Sequence, residues 1–204
     1  MTSIGTLYII AAASGTGKTA LVNALIDKVD NLYVSVSYTT RVQRPREKEG
    51  EDYFFITQNQ FKSMTEKGSF LEYAHVFDHY YGTSRLWVEA QLNSGKDIIL
   101  EIDWQGARQV RSGIKNTASV FILPPSYNEL RNRLLGRKQD DEKTIERRMN
   151  DACEEISHYN EFDYILINDS FDTALTDLAS IVASERLRLN YQQQKQAQLL
   201  SKLL

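Results

Sequence analysis

Cysteine and histidine are scarce in this 204-residue chain: one Cys153, and three histidines at His75, His79 and His158. A lone cysteine excludes an internal disulfide and fits a reducing compartment. Neither it nor the histidines fall at the spacing of a metal-ligand set. An excess of one charge sign is also missing. Lys and Arg number 24 against 27 Asp and Glu, a formal net charge of -3. That balance offers no general attraction to nucleic acid or to a membrane surface, so any anion site must be built locally. No apolar run approaches the ~20 residues of a membrane span. The opening "MTSIGTLYIIAAASG" has no basic segment ahead of its short apolar run, so no signal peptide is expected and a cytoplasmic location is. What remains is an ordinary globular composition, 42% hydrophobic and 25% charged, at a length that suits one domain with small insertions.

Four short apolar runs stand out: "TLYIIAA" (6–12), "DIILEI" (97–102), "ASVFIL" (118–123) and "YILIN" (164–168). Unbroken apolar runs of this length predict strands buried on both faces, as in a parallel sheet. Helical patterns follow them, as βαβ units require. Leu21, Val22, Leu25, Ile26 and Val29 recur at helical spacing after the first, "WQGARQVRSG" follows the second and "SYNELRNRLLGR" the third. In the last of these Ser126 is placed to cap the helix, with Glu129 at capping-box spacing. Residues 32–83 read differently. "LYVSVS" alternates, "DYFFI" is aromatic and "FLEYAHV" alternates loosely, predicting half-buried antiparallel strands, with a helix opening on Thr57 and Gln60 at capping-box spacing between them. The charge-dense "GRKQDDEKTIERRMNDACEEI" (136–156) is a second, helical insertion, and the tail from Ser184 predicts an amphipathic helix.

The first run flows into "AAASGTGKTA" (11–20). Phosphate-binding loops need backbone N–H groups converging on phosphate oxygens, glycines where a Cβ would clash, and a lysine for the β/γ-phosphates. They also need a Ser/Thr hydroxyl for Mg²⁺ and a helix starting there. Ala13, Ser14, Gly15, Thr16, Gly17, Lys18 and Thr19 satisfy this pattern, with Ala12 where the first glycine of the pattern stands. Ala12 supplies the same N–H; a positive φ at that position would cost alanine about 1–2 kcal/mol.

Such a loop serves several classes of protein, so the acceptor must be read elsewhere. In "SVSYTTRVQRPREKEGEDYFF" (35–55), Arg41 and Arg44 lie near the hydroxyls of Ser37, Thr39 and Thr40, with Tyr53 beyond. Forked guanidiniums beside hydroxyls suit a phosphate dianion, although a basic turn is also an ordinary solvated surface. In "FLEYAHVFDHYYGTS" (70–84), Glu72 lies on a predicted strand, with Tyr81 and Thr83 after it. A carboxylate there can accept two hydrogen bonds from a base edge with adjacent N–H donors, which guanine has and adenine lacks; a solvent-facing strand glutamate is the plainer alternative.

Together these stretches resemble the guanylate kinase family, from about Ile4 to Ser184. The resemblance rests on S-x-S-x-T-T-R-x-x-R followed by E-x-x-G-x-x-Y (Glu47, Gly50, Tyr53), and on "LEYAHVFDHYYGTS", "LEIDWQGARQVR" and "SHYNEFDYILINDSFDTAL". It implies an α/β fold with a P-loop NTPase-type parallel sheet flanked by helices. On that fold the domain, 4–184, divides into a core (4–34, 84–135, 157–184), a GMP-binding insertion of mainly antiparallel strands (35–83) and a helical lid (136–156), with a tail at 185–204. It implies an ATP:GMP phosphotransferase with ATP, GMP and dGMP as ligands, Mg²⁺ as cofactor, and neither nucleic acid nor membrane as partner. By position the family pattern puts Arg41, Arg44, Tyr53 and Tyr81 on the GMP phosphate, and Ser37, Glu72, Thr83 and Asp103 around the guanine. It puts Arg133, Arg137 and Arg148 near the transferring phosphates and Asn168 near the adenine of ATP. Thr19 would hold Mg²⁺, with Glu101 orienting one of its waters. Gln43 stands where a proline is usual, Arg46 and Lys138 where glycines are; none of the three replaces a ligand. Two other readings stay open at this point: a non-catalytic interaction module of the same fold, and a P-loop kinase for another small phosphate acceptor.

Overall fold

A computed structural model describes residues 4–76, 78–114, 116–136 and 142–203, for 142 and 143 the backbone alone. Arg137 and Lys138 lie outside the described residues.

The core is a five-stranded parallel sheet in the order β2 (Leu32–Val34), β7 (Asp97–Glu101), β1 (Leu7–Ala12), β8 (Thr117–Leu123), β9 (Tyr164–Ile167). The reason for the unbroken apolar runs lies in the layers. Along β1, Tyr8 and Ile10 pack on one face with Leu21, Val22 and Leu25 of α1 (Lys18–Lys28) and Ala174, Leu178 and Val182 of α7 (Phe171–Glu185). Leu7 and Ile9 pack on the other with Val88 and Leu92 of α3 (Arg85–Asn93) and Val110 of α4 (Trp104–Gly113). Period-two alternation carries one strand's side chains to both faces, and both are covered, so no position can be polar without a partner. The buried polar residues of these strands are partnered: Asp97 accepts from the Thr6 N–H at 2.7 Å and from Arg186 Nε at 2.8 Å, and Ser119 Oγ donates to Asp163 Oδ2 at 2.6 Å.

A second, four-stranded sheet stands over the C-terminal edge of the first, in the order β4 (Tyr53–Phe55), β3 (Ser37–Thr39), β6 (His79–Ser84), β5 (Phe70–Val76). Here the expectations need correction. "LYVSVS" is not one antiparallel strand: its first half, β2, joins the core sheet parallel to β7, and only its second half enters the insertion as β3. The alternation came from a strand, a break at Ser35 and Val36, and the first residue of a second strand, which happen to keep one phase. "DYFFI" also pairs parallel, with β3, whereas β5 and β6 form the expected antiparallel pair. Between β4 and β5, α2 (Gln58–Glu66) opens on Thr57 with the capping box complete.

The remaining helices are α5 (Tyr127–Leu135), α6 (Glu142–Ser157), and two short ones, α8 (Leu189–Lys195) and α9 (Ala197–Leu203). Ser126 caps α5 by accepting the Glu129 N–H at 3.1 Å, but the box is not closed; the Glu129 carboxylate instead accepts from Arg133 Nε at 2.9 Å, one turn on. The predicted single tail helix is two, broken at Gln196, with Tyr191 its buried anchor. Among the described residues no helix is long and apolar enough to cross a membrane.

Candidate functional site

The C-terminal ends of β1 and β7 open into a cleft of about 450 Å³, lined by residues 12–20, by Ser37, Arg44, Tyr53, Glu72 and Tyr81 of the insertion, and by Glu101, Asp103 and Glu155. Ligand groups gather at this edge of α/β sheets because the strands end there and helices begin.

The loop wall is shaped by two glycines. Gly15 and Gly17 have φ of 96° and 94°, and a Cβ on Gly17 would lie 2.7 Å from Asn168 Nδ2. Ala12 needs no such freedom: it is the last residue of β1, paired with Ile122. Alanine therefore carries no left-handed penalty there. Likewise, Arg46 is absent from the positive-φ residues, and Gln43 Nε2 donates to the Glu47 carbonyl at 2.6 Å, so these departures from the family pattern leave the turn intact. Thr16, fully buried, turns its hydroxyl onto the Ala13 carbonyl at 2.9 Å. The Thr16 carbonyl is clasped from outside by Asn168 Nδ2 at 2.7 Å and Arg133 at 3.4 Å, and Arg133 also donates to the Asn168 carbonyl at 3.0 Å. In this structure Asn168 and Arg133 thus support the loop's backbone from behind.

In front of the loop, Lys18 begins α1 and Thr19 Oγ1 donates to Glu101 Oε2 at 3.1 Å. From α6, Arg148 donates to Ser14 Oγ at 2.8 Å, and Glu155 Oε2 accepts the Ser14 N–H at 3.1 Å. A carboxylate therefore lies against a loop amide. Burial pushes its carboxyl up to about 7, against the pull of the Ser14 N–H and the charge of Lys18.

On the opposite wall, Glu72 is 3% exposed and accepts from Thr83 Oγ1 at 2.5 Å, with Ser37 Oγ 3.5 Å from the same hydroxyl. Burial pushes the Glu72 carboxyl up to about 7, the Thr83 bond opposing it and the charge of Asp103 adding to it. Asp103 caps α4, accepting from the Gly106 N–H at 2.9 Å, and burial raises its carboxyl as well. Arg44, Tyr53 and Tyr81 line the cleft, the two rings edge to face at 5.9 Å. Arg41 is held by Glu47 through two bonds, at 3.0 and 2.7 Å, with its guanidinium 5.3 Å from the centre of the Tyr53 ring.

Of the residues named from sequence, the phosphate loop, Ser37, Arg44, Tyr53, Glu72, Tyr81, Thr83, Glu101, Asp103 and Arg148 converge on the cleft or its walls, and Arg41, Arg133 and Asn168 lie one contact further out. Two further residues belong to the site without a role expected from the sequence. Glu155 sits among so many acids in 151–155 that nothing in the sequence separates it. Glu47 carried a signal, its fixed spacing before Gly50 and Tyr53, but no role.

A phosphate loop at the sheet edge, facing across one cleft a basic and aromatic patch and a buried carboxylate, defines an α/β P-loop domain built to hold two phosphorylated ligands face to face. The guanylate kinase family model matches residues 4–185, and the chain belongs to that family. It is 57% identical over 204 residues to a guanylate kinase of Saccharophagus degradans, covering all of both chains. It is 53% identical over 203 residues to that of Escherichia coli K12, covering 98% of each. A crystal structure of guanylate kinase from Anaplasma phagocytophilum superposes with a TM-score of 0.79 at 31% identity, covering 94% of this chain and 91% of that one.

Proposed function

We propose that the protein transfers the γ-phosphate of ATP to GMP, giving ADP and GDP, in the cytoplasm, with dGMP as a second acceptor. The observation that carries this reading is the pairing, across one cleft, of the phosphate loop with a buried glutamate fixed by Thr83. The loop fits a nucleotide donor. The glutamate, shielded from water and purely an acceptor once ionised, fits a base edge that presents two N–H donors, and Ser37 and Asp103 stand beside it.

The acceptor is a phosphate oxygen, already anionic near neutral pH, so the reaction requires charge neutralisation and alignment more than a general base. Arg44, Tyr53 and Tyr81 would hold the GMP phosphate, joined by Arg41, whose bond to Glu47 keeps the fork oriented. Lys18 would offset charge on the donor phosphates, with Arg148, Arg133 and Arg137 near the transferring group; such preorganised donors are the usual largest contribution to rate. Asn168 would lie by the adenine while clasping the loop. The Thr19 hydroxyl and Glu101 carboxylate are adjacent hard oxygens, a set that suits a Mg²⁺ ion keeping most of its waters. Thr19 would hold that ion directly and Glu101 through a water, and the ion would supply charge neutralisation on the β/γ-phosphates. Closure of the insertion and lid over the cleft would exclude water and so prevent hydrolysis of ATP.

Lys18 and Thr19 on the cleft disfavour a non-catalytic module, and the Glu72–Thr83 pair disfavours a kinase without a base pocket. One acceptor screen with ATP and Mg²⁺ across GMP, dGMP, AMP, UMP and ribose phosphates tests the whole reading. Turnover confined to GMP and dGMP is expected; equal turnover of AMP would overturn it.

A further inference from the structure

In "LEIDWQGARQVR" Asp103 has a role in the site, and the structure shows a second residue, Gly106, at work beside it. Gly106 is buried in the first turn of α4. Its φ is not in the left-handed region, so nothing in the backbone requires glycine there. Alanine is the better helix former, which leaves glycine unexplained by local structure. The explanation is on the neighbouring strand, β5. A Cβ on Gly106 would lie 2.5 Å from Glu72 Oε2 and 3.2 Å from its carboxyl carbon, and its next contact, Ile102 Cβ, is at an ordinary 3.4 Å. The obstruction is therefore the Glu72 carboxylate alone. That carboxylate is fixed on its other oxygen by Thr83. The Gly106 N–H meanwhile holds Asp103 Oδ1 at 2.9 Å. One residue thus bounds both acidic groups on this wall, the first by its missing side chain and the second by its amide.

We infer that Gly106 is a specificity-determining positioning residue: its bare Cα sets how deep the Glu72 carboxylate seats, and thereby how well the site distinguishes GMP from AMP. The inference rests on the reading that Glu72 accepts from the base edge. With alanine at 106 the carboxylate must retreat by about 1 Å to reach ordinary contact, a displacement that typically costs ~10²-fold in a positioned site. The helix and the phosphate loop are untouched by that retreat.

Steady-state kinetics of Gly106→Ala with GMP, AMP and ATP provide the test. The KM for GMP is expected to rise ~10²-fold and the GMP/AMP ratio of kcat/KM to fall, with the KM for ATP within about twofold of the parent, a split that general loosening of the fold would not produce. A double-mutant cycle with Glu72→Asp, which withdraws the carboxylate by one methylene, adds a sign. Glu72→Asp should weaken GMP in the parent background but strengthen it in the Gly106→Ala background. An unchanged KM for GMP in Gly106→Ala, while Glu72→Gln does lower the GMP/AMP ratio, overturns this inference and spares the reading of Glu72. If Glu72→Gln leaves that ratio unchanged, the underlying reading fails and this inference falls with it. If Gly106→Ala does not fold, recovery of a folded protein in Gly106→Ala/Glu72→Asp supports the inference, and an unfolded double variant refutes it.

Discussion

Replacing Glu72 with glutamine keeps the shape of the side chain and removes both its charge and one acceptor. The wild-type carboxylate, almost wholly buried, can receive two N–H donors of guanine; adenine offers an unprotonated ring nitrogen there and leaves the carboxylate unpaired. A site built for such donors typically rejects an analogue lacking them by ~10³-fold or more. In Glu72→Gln the amide N–H₂ faces a guanine N–H, so kcat/KM for GMP should fall on the order of 10²-fold while AMP gains relatively. A pH series adds an independent readout. Burial holds the carboxyl near 7 instead of 4.5, and base binding needs the ionised form, so kcat/KM for GMP should drop about tenfold per pH unit below 7. Glu155 also titrates near 7, and the phosphate of GMP near ~6. The quotient of wild type over variant cancels those shared contributions and isolates Glu72. Stability moves the other way. With its proton held to higher pH than in the unfolded chain, the native state binds more protons between about 4.5 and 7, and stability falls as pH rises through that window. The full displacement corresponds to roughly 3 kcal/mol at most, and the variant should lose this slope in urea titrations. A GMP/AMP ratio that does not fall, or a wild-type-to-variant quotient flat from pH 5.5 to 8, would refute the assignment of Glu72 to the base.

Other expectations follow from the loop and its surroundings. Lys18→Ala should lower kcat by ~10²–10³ while GMP binding by calorimetry stays within a few fold, since the lysine lies outside the acceptor wall; near-normal turnover would sink the phosphate-loop assignment. Glu155→Gln removes an anion from the mouth of the loop. At an effective dielectric of ~20, charges on the order of 5–10 Å apart oppose each other by roughly 2–3 kcal/mol, so ATP should bind at least about tenfold tighter at pH 8. The gain should shrink at pH 6, where the wild-type carboxyl is protonated, and equal gains at both values would contradict the electrostatic account. Residues 35–83 and 136–150 should move toward the loop when both nucleotides bind, and small-angle scattering with a bisubstrate analogue should show a smaller radius of gyration; an unchanged radius counts against closure.

The sequence made the core legible because its inner strands β1, β7 and β8 are buried on both faces; β9, read from the same kind of run, lies at the edge and leaves Ile165 and Ile167 about half exposed. Leu7 to Ala12 and Ile98 to Leu100 can be apolar throughout only in such a sheet. The phosphate loop was legible because few residues meet its demands, and Gly15 and Gly17 carry the positive φ that the pattern anticipates. Edge strands were harder. Three residues of β2 and three of β3 have too few positions to reveal which sheet each joins, and pairing direction in β3–β4 leaves no trace in composition. Capping geometry was half legible: Ser126 could be read, but the choice of Glu129 between the helix amide and Arg133 is made by side-chain packing. The partners of Arg41, Asn168 and Glu155 were out of reach for the same reason. Contacts such as that of Asn168 with Thr16, 152 residues apart, depend on how the layers close.

That clasp has a bearing on synthesis of the chain. The loop between β1 and α1 is complete within the first twenty residues, yet its Thr16 carbonyl is held by Arg133 and by Asn168. Its strand, moreover, lies between β7 and β8, both made far later. A ribosome therefore emits the nucleotide-gripping residues early and the residues that fix their shape last, so the nascent chain should stay blind to ATP for most of its elongation. Such long-range closure also slows folding relative to local structure. Stalled nascent chains released from the exit tunnel at increasing length should be retained on immobilised ATP only once residue 168 has emerged, and retention of chains ending near residue 130 would show that the loop sets without its clasp.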